Sequence, residues 1–144
     1  MTDSAQVVSR HLALLLMDPP FESSRMVVAL RLIAATLQAG HKVSVFAYEG
    51  AVALTQEGQT EHPNPVHGTP ADGEDHLLPS ALVEQLSKLA AEHAGQLDWV
   101  NCGYCMDERG SQPLVPLTRR GGPADFKKMI EGADQVIVIA TRGE

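Results

Sequence analysis

The sequence predicts an α/β domain built on an open, mostly parallel, doubly wound sheet of about five strands. Two observations predict it. Short continuous apolar runs recur along the chain, and segments with helical spacing of apolar residues alternate with them. The length supplies a third constraint: 144 residues, 44% of them hydrophobic and 20% charged, make one globular domain with its own core and are short for two.

Residues 1–10 are polar and are expected to be flexible, so the domain is placed at 11–144. The run HLALLLM (11–17) is continuous and apolar, which suits a strand buried on both faces, and Asp18-Pro19-Pro20 ends it. Residues 23–39 carry apolar side chains at 26, 29, 30, 33, 34 and 37, a single helical stripe. Gly40 follows as a C-cap, and Val43–Ala47 forms the second strand. Strand, helix and strand within about forty residues are a βαβ unit with parallel strands. A short helix is expected over 51–55. A long Gly- and Pro-broken loop then covers about 56–76 and carries His62, His67 and, at its edge, His76.

Pro79 opens the next helix, whose Leu82, Leu86, Leu89 and Ala90 share one face up to His93. Leu97–Val100 is the third strand, and a short helix from about Cys102 to Glu108 closes at Gly110. The segment PLVPL (113–117) reads as a weak strand. Gly121-Gly122-Pro123 starts a last helix with Phe126, Met129 and Ile130 inward, and QVIVIA (135–140) is the most strand-like segment of all.

Charge and hydropathy narrow the function classes. A formal charge of −7 disfavours a polyanionic partner, so no nucleic-acid binding is expected; Arg119-Arg120 and Lys127-Lys128 are too short to make such a footprint. No stretch approaches the ~18 apolar residues of a membrane span, and the N-terminus lacks a cleavage pattern. A cytoplasmic protein without membrane contact is expected.

The two cysteines, Cys102 and Cys105, are spaced C-x-x-C. In open parallel sheets function sits at the carboxyl ends of strands, and Cys102 falls there, where a helix begins. Unpaired N–H groups at a helix start favour a thiolate, which makes Cys102 the more reactive residue. Cys105 lies one turn on, on the same side, in a resolving role. Three readings compete: a redox or sulfur-handling dithiol, a half-built metal site completed by loop histidines, or two small core residues. A structural disulfide would be out of place in a reducing compartment. A thioredoxin-type dithiol would normally stand nearer the amino end. The first turn, DPPFESSR, lacks the glycines of a dinucleotide site. No cofactor and no resident metal are expected.

The segments VNCGYCMDERG and RGGPADFKKMIEGADQVIVIA, with the Asp-Pro turn after the first strand and AGHKVSVFAYEG, resemble the DsrE/DsrF-like (sulfur-relay, TusD-like) family. The resemblance covers most of the chain outside 56–76. It implies a flavodoxin-like three-layer sandwich, assembly as a homo-oligomer (trimer or hexamer), and a small sulfur-carrier or sulfur-donor protein as partner. It further implies a persulfide on Cys102, eight residues before Gly110, with Cys105 matching a cysteine found in a subset of members. Arg109 is the candidate for charge support of the thiolate or for stabilising the helix end. Arg119 and Arg120 are candidates for attracting an anionic donor. Asp18 borders the same cleft or serves the turn, and Tyr104 and Met106 are packing or subunit-contact residues. The alternatives are a non-catalytic structural or adaptor subunit, a C-x-x-C dithiol redox protein, and a metal module using His62, His67 or His76.

Overall fold

A computed structural model of the chain describes residues 8–20, 24–60, 78–111 and 115–141. Five strands form one sheet: β1 (His11–Leu16), β2 (Lys42–Ala47), β3 (Gln96–Cys102), β4 (Thr118–Gly121) and β5 (Gln135–Ile139). Their order is β4-β3-β2-β1-β5, and every pairing is parallel. The chain moves from β1 to β4 in one direction and then returns to place β5 on the far side of β1. This is the open parallel α/β sandwich expected from the alternation of apolar runs and helical stripes.

Two clusters of buried side chains sit between the layers. The larger joins β1–β3 to α1 (Ser24–Gln38) and α2 (Pro79–Glu92) through Leu14, Leu16, Ile33, Leu37, Leu86 and Trp99. Each large aliphatic side chain buried there contributes about 1.5–3 kcal/mol. Helix α1 buries Met26, Ala29, Leu30, Ile33 and Leu37, the stripe expected from spacing. Gly40 ends it at φ +80, a backbone region that a Cβ disfavours. In α2 the buried stripe is Val83, Leu86 and Ala90, turned slightly from the expected Leu82–Leu86–Leu89 face. The helix packs on both α1 and β3, and this orientation serves the two neighbours together.

The smaller cluster joins Ala13, Phe46 and Val100 to Val52, Cys102, Cys105, Met106 and Met129. It is served by α3 (Gly103–Arg109), α4 (Pro123–Gly132) and a 3-10 helix (Glu49–Thr55). The short helix expected at 51–55 is thus 3-10 and begins earlier.

Two expectations need correction. The fourth strand is Thr118–Gly121, not 113–117. Residues 112–114 lie outside the described residues; Val115 is buried and 116–117 form a turn. An edge strand needs only one ladder of backbone bonds, and Arg119 and Arg120 satisfy their charge with carboxylates on neighbouring elements. Ile130 is exposed rather than inward, because the short α4 buries only Met129. β5 is an edge strand with one bare face: Val136 and Val138 are exposed, while Ile137 and Ile139 pack on the larger cluster. Residues 1–7 of the N-terminal segment expected to be flexible, and most of the 56–76 loop with His62, His67 and His76, lie outside the described residues. Among the described residues no helix is long and apolar enough to cross a membrane.

Candidate functional site

Alternation along β3 decides what each residue meets. Trp99 enters the larger core, while Val100 and Cys102 enter the smaller one. Cys102 ends the strand in extended geometry (φ −63, ψ 117) and is the residue from which α3 starts. Cys105 follows one turn later, so both sulfurs enter the same cluster. Both are free thiols, and both are nearly closed off, at 2% and 5% exposure.

The two thiols are not equivalent. Burial pushes the Cys105 thiol up to about 11, and the neighbouring Cys102 thiol adds to that shift. The Glu49 N–H, donating to Cys105 Sγ at 3.2 Å, opposes it. The negative charges of Cys102 and Glu49 again favour the protonated form. Cys105 therefore keeps its proton at neutral pH.

Glu49 is the residue that spacing did not single out. It opens the 3-10 helix with φ +50, a strained value for a residue with a side chain. Its N–H points at Cys105 while its carboxylate takes Arg109 Nη2 at 2.9 Å. Arg109 Nη1 donates to the Cys105 carbonyl at 3.3 Å. Arg109 thus clasps the end of α3 to the loop after β2, and its recorded bonds go to these oxygens rather than to a sulfur. The available signal was position: Glu49 follows the carboxyl end of β2 as Cys102 ends β3. Tyr48, next to it, has its phenol pushed up, chiefly by the charge of Glu49 and then by Cys105.

Arg120 reaches the other side of the pair. It grips Asp107 with two bonds of 2.7 and 2.6 Å, which hold the Asp107 carboxyl below its usual range. Its guanidinium lies against the first turn of α3, so close that a Cβ on Gly103 would sit 2.7 Å from Nε. Gly103 makes that approach possible. Arg120 is held more firmly protonated chiefly by Asp107, with smaller contributions from Cys102 and Tyr104. Arg119 turns the other way, to Asp98 and Asp125.

At the carboxyl end of the sheet a cleft of about 470 Å³ is lined by Met17, Pro19, Glu49, Gly50, Arg109 and Thr141, among others. It opens where the strand order reverses between β1 and β5, the usual ligand position in such sheets. Glu49 and Arg109, which line it, both bond to Cys105. Asp18 is buried beside it, while its neighbours Met17 and Pro19 form the wall. Met106 is a core residue, whereas Tyr104, 76% exposed, points outward from the same turn. Among the described residues no group of three or more His, Cys, Asp or Glu is placed to hold a metal ion.

No curated protein matches the sequence. The YchN protein from E. coli, known from a crystal structure, matches the fold with a TM-score of 0.67 over 92% of this chain and 100% of that one, at 17% identity. At that identity the likeness speaks for the fold alone. The sequence family described as DsrE/DsrF-like matches residues 10–139, nearly the whole chain, with both cysteines, Arg109 and the cleft residues up to Arg109 inside the match. The chain belongs to the DsrE/DsrF-like family.

Proposed function

We propose that the protein is a sulfur carrier, or a sulfurtransferase subunit, that holds a persulfide on Cys102. The observation that carries this reading is the pair of free thiols brought into one cluster at the carboxyl end of β3, with Cys105 kept protonated and Arg120 packed against Gly103, the residue after Cys102. Family membership points to sulfur relay as the general role.

In the loading step the Cys102 thiolate attacks the outer sulfur of a donor persulfide. A new S–S bond forms to Cys102, the donor's S–S bond breaks, and its electron pair leaves on the donor thiolate. The hydrogen of the terminal sulfur travels with it, giving Cys102–S–SH. In the unloading step an acceptor thiolate takes the same outer sulfur and returns Cys102 as thiolate. Cys105 would end the relay if its thiolate attacked the inner sulfur, forming a disulfide and releasing hydrosulfide. A thiol held at about 11 is ionised in roughly one molecule in 10⁴ at pH 7, which suppresses that discharge.

The partner on this reading is a small sulfur-carrier or sulfur-donor protein, with exposed Tyr104 beside Cys102 as a contact. Exposed Val136 and Val138 on the bare face of β5 support assembly with further copies of the chain. A cytoplasmic setting belongs to the same proposal, since a reducing compartment keeps both thiols free.

One observation favours a second reading. Both sulfurs are almost fully buried, as expected of a structural subunit whose cysteines only pack. Alkylation of the folded protein separates the two. In the Cys105→Ser variant, Cys102 should react with a small haloacetamide well within the lifetime of the native state. Should Cys102 label only after denaturant is added, the carrier reading falls and the structural one stands.

A further inference from the structure

The opposite rim of the sheet breaks the pattern of a doubly wound fold. There the face toward α4 should be apolar, because it is to be covered. Register instead aligns His11 with Lys42 and Gln96, and Ser44 with Asp98, so three adjacent strands turn polar side chains to that face. These residues, with part of α4, line a cavity of about 790 Å³.

The cavity has an ordered floor. His11 Nδ1 lies 3.0 Å from the Gly132 carbonyl oxygen, which can only accept, so Nδ1 carries the hydrogen. His11 Nε2 lies 2.7 Å from the hydroxyl oxygen of buried Ser44. The carboxylates of the rim are already engaged. Asp98 and Asp125 share Arg119, and Asp134 takes the His11 N–H at 2.8 Å. Arg10, Lys42 and Lys128 also line the cavity, and no ion pair within 4 Å engages them among the described residues. Four cations against three carboxylates leave the cavity with a positive excess, in a chain whose net charge is −7.

We propose that this cavity is a second binding site, for a small polyvalent oxyanion held by Lys42 and Lys128 over the His11–Ser44 floor. Arg10 closes the site from the chain entering β1. The site lies at the amino ends of the strands, where its β3 residues Gln96 and Asp98 stand about 20 and about 13 Å along the strand from Cys102 at ~3.3 Å per residue, so it is distinct from the cysteine site.

Calorimetric titration of the full chain with pyrophosphate and with citrate, at low ionic strength, tests it; the two probes distinguish phosphate from carboxylate as the preferred oxyanion. Saturable one-to-one binding of either is expected, weakened about tenfold or more by Lys42→Gln and by Lys128→Gln, each of which loses a charge-assisted hydrogen bond. Lys127→Gln removes the same charge from α4 at a residue that pairs with Glu131 and is not among those lining the cavity, and it should leave the affinity unchanged. Cys102→Ser should leave it unchanged as well. No saturable binding of either probe, or equal weakening by Lys127→Gln, overturns the proposal.

Discussion

The raised Cys105 thiol makes an alkaline stability prediction. In the unfolded chain this thiol loses its proton near its ordinary value of 9.0, whereas in the fold it keeps it to about 11. A group whose pKa is raised by folding stabilises the native state fully below the unfolded value, and that stability is lost as pH climbs through the folded value. The window is therefore pH 9 to 11. Two pKa units correspond to about 3 kcal/mol at most, and about half of that is lost by pH 10. Tyrosines and lysines titrate in the same range, so the comparison is between wild type and Cys105→Ala. Urea unfolding under reductant from pH 8 to 10.5 provides it. The small cavity and lost contacts make the variant less stable at pH 8. Its disadvantage should shrink by about 1 kcal/mol at pH 10, because it has no buried thiol to ionise. Parallel profiles across the window would refute the assignment of a strongly protonated Cys105, and with it the argument that Cys105 spares the persulfide.

Two further outcomes follow from contacts around the site. Thr55→Val removes the hydroxyl that donates to Asn101 Oδ1 at 3.1 Å and leaves that oxygen only the longer bond from Trp99 Nε1, at 3.4 Å, in a buried amide whose Nδ2 has no hydrogen-bond partner among the described residues. A loss of about 1 kcal/mol is expected in urea unfolding, and an unchanged stability would mean that the Trp99 bond alone satisfies Asn101. Gly50→Ala would set a Cβ 2.9 Å from the rigid ring of Pro19, at the wall of the 470 Å³ cleft. It should cost about 1–3 kcal/mol and loosen the loop that aims the Glu49 N–H at Cys105, seen as faster labelling of that thiol. Unchanged stability would show that the two loops are not pinned together.

Much of this arrangement is legible in local pattern, and the exceptions have physical causes. α1 is read correctly because Met26, Ala29, Leu30, Ile33 and Leu37 face one core, and Gly40 stops the helix by conformation alone. The position of Cys102 follows from the end of an apolar strand and the start of a short helix. β4 is misread because apolar periodicity ignores charge. Its Arg119 and Arg120 are satisfied by Asp98, Asp125 and Asp107, and pairing over such distances leaves no local trace. β5 is strand-like by composition, but its exposure depends on standing at the edge beside β1, which only the strand order reveals. Glu49 is invisible for the same reason: the sulfur its N–H meets lies 56 residues further on. The polar rim around His11 and Ser44 emerges only when the register of three strands is known.

The central claim is that Cys102 carries sulfur and Cys105 does not discharge it. Intact-protein mass spectrometry after brief exposure of the reduced chain to polysulfide tests it most directly, with Cys102→Ser and Cys105→Ser alongside. The account predicts a gain of one sulfur atom in wild type and in Cys105→Ser, none in Cys102→Ser, and persistence of the adduct in wild type at pH 7. No adduct in wild type, an adduct that survives Cys102→Ser, or prompt conversion to an internal disulfide would contradict it.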